Sequence, residues 1–148
     1  MFKIRFALAA VVCFSAGLHA EVSCSNIPQL DLSKNKAITF NGSLLRYGQK
    51  CWYLPVKSGQ RLRITLDDNN GNSAITVYKP GATIQYGSGN PQDEDPANYY
   101  HGETIKAAPA YGKARKVDEV VRESGNYLMV VGLTLGAGSE FKGSASVK

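Results

Sequence analysis

The sequence predicts an all-β protein, an antiparallel, jelly-roll-like β-sandwich of about seven to nine strands. Apolar residues recur with a period of two along much of the chain, which is the spacing of strands that bury one face. Clusters of Gly, Asn, Asp and Ser interrupt these stretches at short intervals and indicate turns. With 43% hydrophobic and 20% charged residues among 148, the composition argues against a disordered chain or a coiled coil.

The first twenty residues are predicted to be a signal peptide. Lys3 and Arg5 precede an apolar stretch at 6–17, and Ala20 is the small residue after which cleavage is expected. The stretch is shorter than the roughly 20 residues that span a bilayer. Residues 21–148 are then a single β-sandwich domain, periplasmic or secreted. Two alternatives stay open: an N-terminal anchor helix, and a lipoprotein acylated at Cys24.

The first two predicted strands, 37–45 and 50–56, form a pair joined through 47–49. Pro55 indicates that the second is an edge strand or contains a bulge. Its alternate residues divide between two faces, with Trp52, Leu54 and Val56 on one and Cys51 and Tyr53 on the other.

The clearest strand is 61–67, in which Leu62, Ile64 and Leu66 alternate with charged or polar residues. The Asn- and Asp-rich segment 68–72 predicts a hairpin turn. A return strand follows at 73–79, ended by a Pro-Gly pair.

The second half of the chain is less regular. Short strands at 83–86 and 104–107 are predicted, because a structureless loop over the whole of 81–110 is improbable in a compact domain. The remainder, 87–102, is expected to be an exposed and functional loop. Residues 111–122 carry valines and predict a short strand, with a helix as the alternative. The last strands are 126–135, apolar on both faces and therefore central, and 141–147.

Charge and motifs exclude several functions. The whole sequence has a net charge of +5, and removal of Lys3 and Arg5 with the signal peptide leaves 15 basic against 12 acidic residues, a mild +3. No Lys/Arg stripe with interleaved aromatics points to nucleic acid. A serine triad would need His101, the one histidine after the signal peptide, and no GxSxG motif is present. We therefore predict no catalytic residues, no cofactor and no enzyme.

Two cysteines, Cys24 and Cys51, remain after signal cleavage, and an exported chain favours a disulfide between them. That bridge would contribute about 3.5 kcal/mol on the chain-entropy model. A metal site is the alternative, but the chain lacks the further His and Cys ligands that it would need.

Acidic residues cluster at two turns. Asp67 and Asp68 lie at the predicted hairpin turn, and Asp93, Glu94 and Asp95 form an acidic loop tip. Both are interpreted as solvated turn acids. A calcium site is the sharper alternative, because hard cations prefer several such oxygens, although neither stretch has the EF-hand pattern.

Four tyrosines, Tyr86, Tyr99, Tyr100 and Tyr111, lie in or around the long loop. Tyrosine presents a large rigid surface with a polar tip, which suits contact with a protein partner or with sugar rings. The alternative is that one or two of these rings lie under the loop as a satellite core.

Five short motifs follow one another over roughly 40–147. They are Trp52-Tyr53-Leu54, Lys57-Ser58-Gly59-Gln60, Leu62-Arg63-Ile64, Val77-Tyr78-Lys79-Pro80-Gly81 and Ser124-Gly125-Asn126-Tyr127. In this order they resemble bacterial pre-peptidase C-terminal domains, and the resemblance implies a jelly-roll-like β-sandwich.

Within that group, a short exported single domain is similar to the periplasmic inhibitors of g-type lysozyme. The resemblance implies a non-catalytic inhibitor of a cell-wall hydrolase, in which Tyr47 helps to fill the enzyme cleft. The inhibitors' late arginine has no counterpart, since the position aligns near Leu135 and no arginine follows Arg122. A glycan-binding accessory module is the alternative function. The predicted partner-binding residues are Tyr47, Arg46, Tyr86, Tyr99 and Tyr100.

Overall fold

The computed structural model describes residues 24–33 and 35–148, and the predicted signal peptide with its cleavage site lies outside the described residues. These residues contain nine strands and no helix. No membrane-crossing helix occurs in this part of the chain. The strands are β1 (Ile38–Leu45), β2 (Gln49–Val56), β3 (Arg61–Asp68), β4 (Ser73–Tyr78), β5 (Thr83–Gln85), β6 (Tyr99–His101), β7 (Lys116–Val120), β8 (Gly125–Leu133) and β9 (Gly138–Val147).

The strands form two facing sheets and one hairpin. The larger sheet has the order β1-β9-β3-β7, the smaller has the order β2-β8-β4, and β5 pairs with β6. All pairings between these strands are antiparallel. The predicted all-β antiparallel sandwich is confirmed, whereas the jelly-roll winding stays a prediction.

The predicted strand pairings are wrong in one respect. The strands at 37–45 and 50–56, and those at 61–67 and 73–79, were expected to pair with each other. Instead β1 and β3 lie in the larger sheet and β2 and β4 in the smaller. Local turn signals show where the chain reverses, but they do not show whether it stays in the same sheet.

The main core lies between the two sheets. The period of two in β3 places Leu62, Ile64 and Leu66 in it, all buried. Opposite them, β2 contributes Trp52, whose ring meets that of Phe141 edge-on at 6.1 Å between centroids. Alternation therefore assigns the buried face of both sheets, as the sequence predicted.

A second core covers the outer face of the smaller sheet. Strand β8 is buried on both faces: Met129 and its alternate neighbours face the main core, while Leu128 and Val130 face outward. The outward residues are covered by the β5–β6 hairpin, through Ile84 and Tyr100, and by the N-terminal segment. This explains why β8 is apolar on both faces from Tyr127 onward and confirms its central position.

Both edges of the smaller sheet are covered by irregular chain. On the β2 edge, the Tyr53 amide donates to the Pro28 carbonyl at 2.9 Å. The backbone nitrogen of Pro55, two residues later, also faces this edge, where a proline is tolerated because no neighbouring strand needs its hydrogen bond. On the β4 edge, the Ile75 amide donates to the Ala114 carbonyl at 2.8 Å. The prediction of an edge strand at β2 is confirmed.

Two predictions for the irregular region change. The strand expected at 104–107 is wrong: only Thr104 forms a single bridge, to Tyr78, and turns follow. The partner of β5 is instead Tyr99–His101, within the predicted loop. The segment 111–122 contains strand β7 rather than a helix, as its valines favoured.

Candidate partner-binding site

Three turns meet at one end of the sandwich, where the chain crosses between sheets. They are the β1–β2 turn, the β3–β4 turn and the β8–β9 turn. The Arg46 amide donates to the Ala137 carbonyl at 3.0 Å, and the Thr134 amide donates to the Asn72 carbonyl at 2.7 Å. These bonds tie the three turns into one ordered surface.

The β1–β2 turn projects Arg46 and Tyr47 from this end. The Gly48 amide donates to the Leu45 carbonyl at 2.8 Å, so Tyr47 occupies the third position of a four-residue turn. Its φ of 63° is left-handed, as that position of a type II turn requires. The Arg46 guanidinium lies over the Tyr47 ring, 5.2 Å from its centroid. Cation and ring thus form one projecting unit.

A groove of about 960 Å³ runs beside this turn. Its lining brings together three parts of the chain that are distant in sequence. They are the β1–β2 turn, the N-terminal segment from Cys24 to Pro28, and the loop residues Gly89 and Pro91. Trp52 of β2 also lines the groove. The predicted long loop therefore contributes to the same site as Tyr47.

The N-terminal lining of the groove is covalently attached to the sheet. Cys24 and Cys51 form a disulfide, as predicted. The Tyr86 hydroxyl donates to the Cys24 carbonyl at 3.2 Å, which adds a second attachment. These contacts fix one lining segment of the groove relative to β2.

Tyr100 lies beneath the loop rather than on its surface. Its ring stacks on Tyr78 with centroids 5.4 Å apart, and its hydroxyl donates to Gln49 Oε1 at 2.6 Å. Burial raises the pKa of Tyr100 to about 12. This placement corresponds to the satellite-core alternative, and it makes Tyr100 a support for the loop.

Tyr86 and Tyr99 are the half-exposed tyrosines of the loop. The Tyr86 hydroxyl is bonded to Cys24, and the Tyr99 hydroxyl donates to Asp95 Oδ1 at 3.4 Å. Since both hydroxyls have partners within the protein, no specific observation favours a glycan ligand at these rings.

The two acidic clusters have different environments. The side chain of Asp68 is fully shielded from solvent and accepts a hydrogen bond from Arg115 at 2.7 Å. Asp93 is exposed and accepts a bond from Asn90 at 3.2 Å. No group of three or more His, Cys, Asp or Glu side chains suited to a metal occurs among the described residues. The role of Asp68 was missed, because Arg115 lies 47 positions away in sequence.

His101 lies on the exposed surface of the β5–β6 hairpin. Its Nε2 is 3.3 Å from Gln85 Oε1 on the neighbouring strand. Among the described residues, no hydrogen bond or ion pair joins it to an acid or to a nucleophile. Its position is that of a surface histidine.

The fold is similar to that of known lysozyme inhibitors. The PliG of Aeromonas hydrophila, a periplasmic inhibitor of g-type lysozyme, superimposes with a TM-score of 0.56 and 17% identity, covering 82% of this chain and 95% of that one. The chain has the fold of PliG. PliG of Salmonella Typhimurium gives a TM-score of 0.50 and 13% identity, with 83% and 100% covered. A mutant PliG of Escherichia coli gives 0.51 and 12%, with 82% and 96% covered.

Sequence comparison adds no family. No protein-family model matches the chain, and no curated protein matches its sequence. The resemblance to pre-peptidase C-terminal domains is therefore not confirmed, and the likeness to PliG is one of fold.

Proposed function

We propose that this protein is a periplasmic, non-catalytic inhibitor of a lysozyme-type cell-wall hydrolase, and that it binds the enzyme's cleft with the β1–β2 turn. The observation that carries the proposal is the PliG fold, together with an exposed tyrosine at the turn where the sequence resemblance predicts one. The predicted signal peptide supports the compartment.

The chemistry of the turn suits a glycosidase cleft. Such enzymes generally place two carboxyl groups around the scissile bond. The Arg46 guanidinium pairs with no carboxylate within residues 24–33 and 35–148, so it is available to a carboxylate of a partner. The Tyr47 ring beneath it supplies apolar area that a sugar-binding cleft would otherwise give to substrate.

The turn is also preorganised. Its hydrogen bond to the β8–β9 turn and the left-handed backbone of Tyr47 hold the projecting unit in one geometry before binding. Preorganisation lowers the entropic cost of association. The neighbouring groove, fastened by the disulfide between Cys24 and Cys51, offers further surface to the rim of the cleft.

The proposal does not extend to the type of lysozyme that is inhibited. The position where the g-type inhibitors carry a late arginine aligns near Leu135, an exposed residue of the β8–β9 turn. Because this turn is bonded to the Tyr47 turn, the difference falls inside the proposed contact surface. We therefore propose lysozyme-type hydrolases as the target class without assigning the g-type enzyme.

The test is inhibition of purified lysozymes of several types, including the g-type, by the oxidised domain of residues 21–148. At least one enzyme should lose its clearing of purified cell wall at excess protein. Arg46→Ala and Tyr47→Ala should each weaken that inhibition about tenfold or more with an unchanged melting temperature. Lys57→Ala, at the opposite end, is the matched control. If no lysozyme is slowed by the wild-type protein, the proposal is wrong.

A further inference from the structure

A second tyrosine has the same local geometry as Tyr47. In the loop between β6 and β7, the Gly112 amide donates to the Pro109 carbonyl at 3.2 Å. Tyr111 is therefore the third residue of a four-residue turn, with a φ of 58°, and a glycine follows it, as Gly48 follows Tyr47. Its exposed fraction is 100%.

Neither packing nor backbone preference accounts for a tyrosine at this position. A fully exposed ring gains nothing from burial. The left-handed backbone disfavours a bulky side chain, and Gly or Asn would occupy it at lower cost. A strained, exposed aromatic residue is the kind of outlier that occurs at binding sites.

The turn is held rigidly at the edge of the smaller sheet. Before it, Ile105 and Ala108 are buried, and the Val77 amide donates to the Ala108 carbonyl at 3.1 Å. After it, Ala114 accepts the hydrogen bond of Ile75. Tyr111 is thus presented from a fixed support, as a preorganised contact residue would be.

The two tyrosine turns lie within reach of one partner. Gln49 of β2, Gly132 of β8 and Ala74 of β4 form one row across the smaller sheet, and Ala114 bridges to the next residue of β4. Three strand spacings separate the supports of the two turns, or roughly 15 Å. A standard interface of about 800 Å² per partner is roughly 30 Å across, which is wide enough to include both supports.

The chain segment on either side of Tyr111 is basic. Residues 104–117 contain no acidic residue, and Lys106 and Lys113 on either side of the turn are exposed. Neither lysine pairs with a carboxylate of the described chain. This charge suits an acidic protein surface.

We propose that the Tyr111 turn is a second contact with the same hydrolase, reaching an acidic patch beside the cleft while the Tyr47 turn enters it. This inference rests on the proposed function. It assigns a binding role to Tyr111 that is separate from the roles of Tyr86, Tyr99 and Tyr100.

The first test measures the dissociation constant for the lysozyme that the wild-type protein inhibits, by titration calorimetry. Tyr111→Ala should weaken binding about tenfold without lowering the melting temperature, because the ring is fully exposed and alanine keeps the same backbone. Val120→Ala, an exposed apolar residue at the opposite end of the larger sheet, should change binding less than twofold. Equal affinities for Tyr111→Ala and wild type would overturn the inference and leave the proposed function standing.

Charge reversal tests the chemistry of the patch. Lys113→Glu should weaken binding at low salt more than at high salt, because screening removes a favourable long-range attraction. Lys57→Glu, with the same charge change at the opposite end, is the control. Equal losses for both lysines would indicate net charge alone and overturn the acidic-patch assignment. A wild-type protein that binds no hydrolase would overturn the inference together with the proposed function.

Discussion

Asp68 is the residue whose removal should most clearly disturb the end of the sandwich that carries the site. It ends β3 and accepts hydrogen bonds from the Gly71 and Ser73 amides at 2.8 and 2.7 Å. It also accepts bonds from the hydroxyls of Ser73 and Ser139 and from Arg115. Burial alone would raise its pKa, but these bonds, led by Ser73, outweigh burial and lower it to about 2.

The pKa sets both the size and the direction of the effect. Because the folded value is about 2 against 3.8 for the free group, the ionised carboxylate contributes about 2 kcal/mol to the free energy of unfolding at neutral pH. That contribution is present above pH 3.8 and is lost as the pH falls through about 2. Asp68→Asn should remove it and also turn an amide NH₂ toward donors, so the total cost is about 2–4 kcal/mol.

Urea unfolding at several pH values between 2 and 7 measures this prediction. Asp67→Asn is the matched control, since this neighbouring aspartate is exposed on the outer face of β3, and its change should stay within about 0.5 kcal/mol. The stability difference between wild type and Asp68→Asn should shrink by about 2 kcal/mol on acidification. Equal stability of the wild type and Asp68→Asn at pH 7, or a stability difference that does not change with pH, would refute this reasoning.

Three further changes test the supports of the site. Replacing Cys24 and Cys51 together by serine should lower the free energy of unfolding by about 3.5 kcal/mol and weaken inhibition. Detection of two reactive thiols in the native wild-type protein would contradict the disulfide. Gly143→Ala should cost about 3 kcal/mol, because the added Cβ would lie 2.5 Å from a backbone oxygen of β3. Gly132→Ala is the control, since the nearest atom to its added Cβ is 3.6 Å away. Equal melting temperatures for the two variants would refute the close contact at Gly143. Tyr100→Leu should cost about 2 kcal/mol by removing its stacking and its bond to β2, and an unchanged near-ultraviolet circular dichroism spectrum would speak against that packing.

Local patterns predicted individual strands well, for a physical reason. Because the side chains of a strand alternate between its two faces, the spacing of apolar residues alone predicts the buried residues of β3 and the burial of both faces of β8. The partners of each strand were not predictable in this way. The β1–β2 and β3–β4 turns were expected to close hairpins, yet both cross between sheets, since pairing depends on contacts across the whole chain.

The candidate site was partly predictable. Tyr47 came from the resemblance, its neighbour Arg46 was predicted beside it, and the disulfide came from cysteine counting and the predicted export. The outcome for the loop tyrosines depended on packing that no local pattern encodes. Tyr100 stacks on Tyr78, which lies 22 residues earlier in the sequence. The Tyr86 hydroxyl donates to the carbonyl of Cys24, which lies 62 residues earlier.

The amino-acid sequence by itself determined the all-β class and the buried face of the regular strands, because these follow from side-chain periodicity. It also determined the pairing of two cysteines, because only two remain after the predicted signal peptide and export favours their oxidation. Only the tertiary structure decided which turns meet at one end, that the N-terminal segment and the long loop line one groove with Tyr47, and that Asp68 faces Arg115. Those relations join residues far apart in the chain, and they exist only once two sheets have packed against each other.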